Sequence, residues 1–194
     1  NGHGIEIHHS PVSVDMKESP SSALRKKRDS SMNRAFELTR DGGSQAVVTA
    51  GNSGAAMAFA IFTLGRIKGV DRPAIATLHP NVKGGLTLLL DAGGNVDCKP
   101  FHLAQFALMG EACAKALFDI EAPRVGILSN GSEETKGNEV TREAQALVKE
   151  LQVNYVGYVE GTDIYVGTSD VVVTDGFVGN VAVKISEGVA ELLL

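Results

Sequence analysis

A glycine pair, an asparagine and a lysine follow a short apolar run in the segment VVVTDGFVGNVAVK, residues 171–184. Four β-favouring residues lead into an Asp-Gly turn, and an apolar-periodic segment that predicts a helix follows the turn. A strand that turns directly into a helix leaves backbone N–H groups free at the helix start, where they can bind an anion. The segment therefore predicts an anion site at the end of a strand.

The same order of strand, turn and helix occurs three more times along the chain. The segments are AVVTAGNSGAAM, LLLDAGGNVDC and VGILSNGSEETKGNEV, which cover residues 46–57, 88–98 and 125–140. The first turn is neither a GxGxxG fingerprint nor a P-loop, because no GK[ST] follows it. Ligands of parallel sheets lie at the carboxyl ends of the strands, so four such turns predict one site assembled from strand ends.

Strands and helices alternate over most of the chain, which predicts an α/β protein with three αβα layers and a mostly parallel sheet. We expect one α/β region that spans residues 1–194. Strands are predicted at residues 5–8, 45–50, 74–80, 85–91, 124–129, 155–159 and 171–174. The third and fourth of these strands, joined by a short Gly-bearing loop, predict a hairpin. Helices are predicted after Pro20, after Asp29 or Ser30, and at residues 54–67, 101–118, 139–151 and after residue 175, with Ser53 as a candidate cap.

The composition is that of an ordinary globular protein, with 43% hydrophobic and 21% charged residues. A formal net charge of −5 argues against general nucleic-acid binding, which requires a basic surface. Cys98 and Cys113 lack metal-ligand spacing, which favours reduced thiols in the cytoplasm, and no metal site is expected.

No signal peptide is visible, and the most apolar run, Ala55–Leu64, is shorter than the ~20 residues that span a bilayer. A peripheral contact with a membrane remains open. The chain starts at Asn1 and stops inside an apolar, helix-like segment. We therefore expect an excerpt of a longer protein.

One dense basic cluster comprises Arg25, Lys26, Lys27 and Arg28. It could be a solvated helix face. Alternatively, a basic patch on an acidic protein can steer a negatively charged partner to it.

Six separated motifs together resemble the bacterial phosphate acyltransferase family of phospholipid synthesis, from about Ser21 to the last residue. They are RKKRDSSM, TAGNSGA, LLLDAGGNVDC, HLAQFALMG, SEETKGNE and VVVTDGFVGNVAVK. Complete members begin with a strand and a Gly-Gly-Asp turn that precede this sequence, and they continue beyond Leu194.

The resemblance implies transfer of a fatty acyl group from acyl carrier protein to inorganic phosphate, which forms acyl phosphate for glycerol-3-phosphate acylation. It also implies a fold like that of isocitrate and isopropylmalate dehydrogenases, related to phosphate acetyltransferases. Members are homodimers without a redox cofactor, and they associate loosely with the membrane. A membrane glycerol-3-phosphate acyltransferase would be the next enzyme. An acidic carrier protein gives Arg25–Arg28 a role as its docking surface.

Phosphate that attacks a thioester must be held in line with the carbonyl while the oxyanion is stabilised and the thiolate leaves. We expect phosphate to bind at Asn52, Ser53 and Gly54 together with the turn that contains Asp175, Gly176 and Asn180. Lys136 or Lys184 would supply positive charge, because Lys184 lies about one helical turn after Asn180. Lys184 could also be an ordinary surface residue.

Asn95 and Asn138 are the next candidates for donors to phosphate or to the oxyanion. Asp97 and Asp175 are candidate acid/base or orienting groups, and the sequence does not choose between them. No GxSxG motif and no paired Cys and His indicate a covalent enzyme intermediate.

Three alternatives remain open. The first is a related enzyme that uses acyl-CoA, and the second is a dehydrogenase of the same architecture, although no nucleotide fingerprint is present. The third is a non-catalytic fragment that dimerises or docks a partner.

Overall fold

The computed structural model describes residues 4–194, which divide into two compact units at Gly69/Val70. The first unit contains three helices, and the second contains five strands and four helices. The first unit holds α1 (Pro20–Lys26), α2 (Ser31–Arg40) and α3 (Ser53–Thr63). The second holds β1 (Ala76–Pro80), β2 (Leu86–Leu90), α4 (Pro100–Phe118), β3 (Arg124–Leu128), α5 (Glu139–Lys149), β4 (Asn154–Val159), α6 (Asp163–Val166), β5 (Val171–Val173) and α7 (Gly176–Leu193).

The three helices of the first unit pack around a small apolar core. Its buried members are Ala23, Met32, Phe36, Ala55 and Phe59. Serine side chains cap the first two helices, because Ser19 Oγ accepts from Ser22 N and Ser30 Oγ accepts from Asn33 N. The cap of the third helix is Asn52, so the expectation of Ser53 as the cap is wrong.

Two predicted strands are not formed in the first unit. Residues 5–8 and 45–50 are irregular, and Ile7 and Val48 are 88% and 97% exposed. Neither segment pairs with another strand within residues 4–194, and an extended segment becomes a strand only through such pairing.

The second unit is built on a mostly parallel five-stranded sheet with the order β1-β2-β5-β3-β4. β1 and β2 form the predicted antiparallel hairpin, with Ala76 opposite Leu90. The other neighbours are parallel, as the alternation of strands and helices predicts. The mixed α/β class with a mostly parallel sheet is thus confirmed.

Alternating side chains of the central strands bury both faces of this sheet. Leu88, Leu90, Val171 and Val173 belong to the larger core, which α4 and α5 cover. Leu89 and Val172 belong to a second core on the other face, with Ile164 of α6 and Ala182 and Val183 of α7. The strands are buried on two sides, which explains their continuous Leu and Val runs. Of the described helices, none has the length and apolarity needed to cross a bilayer.

Candidate functional site

A cavity of about 450 Å³ opens at the carboxyl ends of β3 and β5 in the second unit. Ser129 and Asn130 follow β3, and Thr174 and Asp175 follow β5. The starts of two helices complete the lining, Asn138 and Thr141 from α5 and Val178 from α7. The cavity is therefore assembled from strand ends and helix starts, and it holds Asp175 and Asn138 of the predicted site.

The start of α7 is closed by its own residues and by a neighbouring loop. Asp175 Oδ1 accepts from the backbone N–H groups of Phe177 and Val178, each at 2.9 Å. The Gly176 N–H donates to the Asn95 carbonyl at 2.8 Å, and the Gly179 N–H donates to the Asp175 carbonyl. All four N–H groups that this helix start could offer to an anion are occupied, two of them by a carboxylate.

The loop that follows β2 is fastened by Asp91, which is fully buried. Its carboxylate accepts from the backbone N–H groups of Ile75, Gly94 and Asn95 and from the Asn95 side-chain amide. The second side-chain N–H of Asn95 donates to the Pro73 carbonyl at 2.8 Å. Both donors of the Asn95 amide are thus engaged in holding the loop.

Two glycines of α7 allow the helix to touch this loop. A Cβ at Gly179 would lie 2.0 Å from the Asp91 carbonyl oxygen, and one at Gly176 would lie 2.7 Å from Asn95 N. No larger side chain fits at these two places unless the backbone moves. The glycines of VVVTDGFVGN are therefore explained by packing between α7 and the loop.

The start of α5 is more open. Asn138 Oδ1 accepts from Thr141 N, and Thr141 Oγ1 accepts from Asn138 N, which forms a reciprocal capping box. The backbone N–H groups of Glu139 and Val140 have no hydrogen-bond partner within residues 4–194. A neutral amide cap leaves these donors available to an anion, and the one carboxylate in the first turn of α5 belongs to the exposed side chain of Glu139.

Burial and two carboxylates shape the chemistry of the thiol near the α7 start. Burial, and then the charges of Asp91 and Asp175, raise the pKa of Cys98 to about 11. Its Sγ donates to the Asn95 carbonyl at 3.4 Å. A thiol with this pKa is protonated near neutral pH and is a poor nucleophile.

The other predicted groups of the second unit do not line this cavity. Asn180 is exposed and lies against Gly93, where a Cβ would come within 2.9 Å of its Nδ2. Lys184 is exposed one turn further along α7. Asp97 is exposed, and its carbonyl accepts from Arg72 Nη1 at 2.7 Å. Lys136 Nζ lies 4.0 Å from Glu133 Oε1.

The predicted turn of the first unit uses its asparagine for structure. The Asn52 amide is buried, caps Ala55 N and donates to the carbonyls of Asp15, Met16 and Glu18. The backbone N–H groups of Ser53 and Gly54 have no hydrogen-bond partner among the described residues. This helix start thus resembles that of α5, with a neutral cap and free donors.

The sequence reasoning did not select four polar residues that line the cavity. They are Ser129, Asn130, Thr141 and Thr174. A signal for Thr141 was present, because Asn138 and Thr141 have the spacing of a capping box. Asn130 also holds the loop that leads to α5, since its Oδ1 accepts from the Gly137 N–H at 3.0 Å. Residues 4–194 contain no cluster of three or more His, Cys, Asp or Glu arranged to hold a metal ion.

Two solved structures with a similar fold are phosphotransacetylases. The phosphotransacetylase of Streptococcus pyogenes matches with a TM-score of 0.61 at 17% identity, covering 82% of this chain and 55% of that one. The EutD phosphotransacetylase of Staphylococcus aureus matches with a TM-score of 0.58 at 16% identity, covering 90% and 60%. The chain therefore has the α/β fold that these proteins share.

The family is shown by sequence. The model of the family described as "Fatty acid synthesis protein" matches residues 1–194, and the chain belongs to that family. Proteins named "Phosphate acyltransferase" are 59% identical in Citrifermentans bemidjiense and 56% identical in Geobacter sulfurreducens, each over 190 residues. These matches cover 98% of this chain but 54% and 55% of the relatives. The chain thus spans about half the length of the curated relatives it matches.

Proposed function

We propose that this chain carries part of the site at which a fatty acyl group moves from acyl carrier protein to inorganic phosphate, forming acyl phosphate for phospholipid synthesis. The observation that carries the proposal is the cavity that Asn138 at the start of α5 and Asp175 at the start of α7 line together. Relatives named "Phosphate acyltransferase" and the family description "Fatty acid synthesis protein" support the substrates.

In this proposal phosphate binds at the start of α5. The Asn138 side chain, which lines the cavity, and the neighbouring N–H groups of Glu139 and Val140 supply neutral donors to the phosphate. A phosphate oxygen attacks the thioester carbonyl carbon, a tetrahedral oxyanion forms, and the carbon–sulfur bond then breaks. The departing thiolate of the carrier takes up a proton, and no residue is acylated.

Asp175 is the better of the two candidates for an acid/base or orienting role. It lines the cavity, whereas Asp97 is exposed and lines none of its wall. A carboxylate beside a bound phosphate can accept its proton and orient the dianion. Lys184, Lys136, Asn180 and the Asn52–Gly54 turn remain candidates for further phosphate contacts, as the sequence predicts.

The wider proposal follows the family resemblance. We propose a fold of the isocitrate/isopropylmalate dehydrogenase type, one catalytic region within a longer enzyme, a cytoplasmic homodimer and no cofactor. Side chains that stay more than half exposed on α7, among them Ile185, Leu192 and Leu193, support a contact surface for a second subunit or for the membrane. A membrane glycerol-3-phosphate acyltransferase would then receive the acyl phosphate.

Hydroxamate trapping in the full-length enzyme tests the function directly. Hydroxylamine converts acyl phosphate to a hydroxamate and also reacts with thioesters, so the signal is measured above controls without phosphate and without enzyme. That phosphate-dependent signal should require palmitoyl-acyl carrier protein. A phosphate-dependent reaction with palmitoyl-CoA but not with the carrier protein would instead support a related CoA-dependent enzyme, an alternative that the fold likeness of this chain to phosphotransacetylases keeps open. No phosphate-dependent hydroxamate with either donor would refute the proposal and favour a non-catalytic role.

A further inference from the structure

A second cavity, of about 640 Å³, lies within the helical unit and has a basic part and an apolar part. Arg25 and Arg28 supply the basic part, and Leu24, Phe59 and Phe62 supply the apolar part. Its volume is within the range of ~300–1,000 Å³ that is typical of small-molecule sites. None of its lining residues belongs to the phosphate site proposed above.

The structure separates the four basic residues of the cluster by their partners. Lys27 is committed to the fold, because its Nζ lies 3.2 Å from Glu18 Oε2 and donates to the Ser13 carbonyl at 2.7 Å. Lys26 is exposed and does not line the cavity. The four charges are therefore not equivalent, although the sequence presents them as one run.

The two cavity arginines keep guanidinium donors free. Arg25 Nε donates to the Ser21 carbonyl at 3.2 Å, which fixes the plane of its guanidinium. The Arg28 guanidinium has no hydrogen bond or ion pair within residues 4–194. Guanidinium groups with free N–H forks bind phosphate oxygens in pairs of hydrogen bonds.

The remaining polar groups of the cavity are already satisfied. Glu37 accepts from Arg34 Nη1 and from Asn33 Nδ2, each at 3.1 Å. Asn33 also donates to the Arg28 carbonyl and accepts from Thr63 Oγ1. The cavity therefore offers positive charge beside an apolar, partly aromatic wall, and this favours a ligand with one anionic group and an uncharged chain.

We propose that this cavity binds the 4′-phosphopantetheine arm of the acyl donor, with its phosphate at Arg28 and Arg25 and its uncharged arm along Phe59 and Phe62. The assignment rests on the proposed function for the identity of the donor, because a carrier protein presents its acyl group on an arm with this combination of one phosphate and an uncharged chain. Phe59 is buried, whereas Phe62 is 75% exposed, so Phe62 has apolar surface that a ligand can cover. Basic residues at this surface thus recognise the prosthetic group, in addition to any general attraction for an acidic protein.

Two small donors that differ only in the phosphate test this assignment in the full-length enzyme. They are palmitoyl-4′-phosphopantetheine and palmitoyl-pantetheine, and kcat/KM is measured for each. The wild-type enzyme should prefer the phosphorylated donor by roughly tenfold, the value of a charge-assisted hydrogen bond. Arg28→Ala should bring the preference close to one. Phe62→Ala should lower kcat/KM for both donors alike.

Lys26→Ala is the matched control, because it removes one positive charge from the same cluster but not from the cavity. It should keep the preference for the phosphorylated donor, even if it slows the reaction with the carrier protein. An equal loss of preference in Lys26→Ala and Arg28→Ala would overturn the proposal, because the phosphate would then be attracted by the total charge of the basic cluster rather than by the cavity. A wild-type enzyme without any preference would also overturn it.

Calorimetric titration with 4′-phosphopantetheine gives a readout that does not depend on turnover. Binding that Arg28→Ala weakens and Lys26→Ala retains would support the site even if no donor were acylated onto phosphate. That combination would refute the proposed function and leave this binding site standing. Turnover with the carrier protein but no binding of 4′-phosphopantetheine would support the proposed function and refute this binding site.

Discussion

The starts of α5 and α7 line the same cavity, but they differ in whether their backbone N–H groups are hydrogen-bonded within the protein. α7 begins at a carboxylate, Asp175, and its N–H groups are all bonded within the protein. α5 begins at a neutral amide, Asn138, and leaves the Glu139 and Val140 N–H groups without a partner in the described chain. A carboxylate cap neutralises the positive end of a helix, whereas an amide cap leaves it for an anion.

This comparison changes the meaning of the VVVTDGFVGN motif. In sequence, its glycines and its aspartate resemble an anion-binding site. In the structure, the glycines pack α7 closely against the loop that follows β2, and the Gly176 N–H donates to that loop. The less conspicuous KGNEV segment at α5 has the open donors. The N–H groups at the first helix start are therefore bonded within the fold, and its Asp175 lines the cavity. We propose that the second helix start binds phosphate.

The largest effect is expected where α7 touches the loop. Gly179→Ala places a Cβ 2.0 Å from the Asp91 carbonyl oxygen, and we expect it to lower the free energy of unfolding by about 3 kcal/mol. Gly188→Ala, on the same helix, is the matched control, because its Cβ would have no neighbour within 4 Å. It should raise stability by up to about 1 kcal/mol. Urea unfolding of both variants measures the difference, and equal effects would argue against close packing at the α7 start.

The next effect separates the two candidate acidic groups. Asp175→Asn keeps an oxygen that can cap α7 but removes the charge from the cavity, so kcat should fall about 100-fold with little change in the phosphate KM. Asp97→Asn removes an exposed carboxylate outside the cavity and should leave both constants unchanged. Steady-state kinetics with variable phosphate provides the measurement. A larger fall in kcat for Asp97→Asn than for Asp175→Asn would make Asp97, rather than Asp175, the acid/base or orienting group.

Asn180 and Lys184 test whether α7 contributes to phosphate binding along its exposed side. If it does, Asn180→Ala and Lys184→Ala in the full-length enzyme should each raise the phosphate KM several-fold, about threefold to tenfold for one hydrogen bond or charge. Normal KM and turnover in both variants would remove them from the site. That outcome would strengthen the distinction between the two helices, because phosphate binding would then depend on α5 rather than on α7.

The smallest effect concerns the thiol beside the α7 start. With a pKa of about 11, about one Cys98 side chain in a thousand is a thiolate at pH 8. Alkylation by iodoacetamide should therefore be slow and should accelerate as the pH rises towards 11. Asp175→Asn removes one of the charges that raise this pKa, so it should increase the alkylation rate at pH 8. Cys98→Ser identifies the Cys98 signal, and an unchanged rate in Asp175→Asn would place the carboxylate too far away to matter.

Local patterns predict the elements of the second unit well, with the exception of the four-residue helix α6. Periodicity and turn residues indicate α4, the hairpin of β1 and β2, and the parallel order of strands and helices, because each pattern spans one complete element. The irregular segment 45–50 has the same apolar, β-branched pattern as β5. β5 is a strand because it pairs with β2 and β3, whereas segment 45–50 has no such partner among the described residues. The sequence of a segment does not specify which other segment it pairs with.

The site is harder to predict because the occupancy of a donor depends on distant residues. Asn52 rather than Ser53 caps α3, since its amide also donates to carbonyls 34 to 37 residues earlier in the chain. The N–H of Gly176 is taken by the carbonyl of Asn95, which lies in another loop. The sequence can identify a helix start that is able to bind an anion. It does not show whether the N–H groups of that helix start are already hydrogen-bonded to other parts of the protein.

Phosphate binding in two charge-exchanged variants tests the central claim most directly. Asn138→Asp gives α5 the carboxylate cap that α7 has, and Asp175→Asn gives α7 a neutral cap. Calorimetric titration of the full-length enzyme with inorganic phosphate should show that Asn138→Asp weakens binding by about tenfold or more through charge repulsion, while Asp175→Asn retains or improves it. Weakened binding in Asp175→Asn together with unchanged binding in Asn138→Asp would contradict the assignment of phosphate to the start of α5.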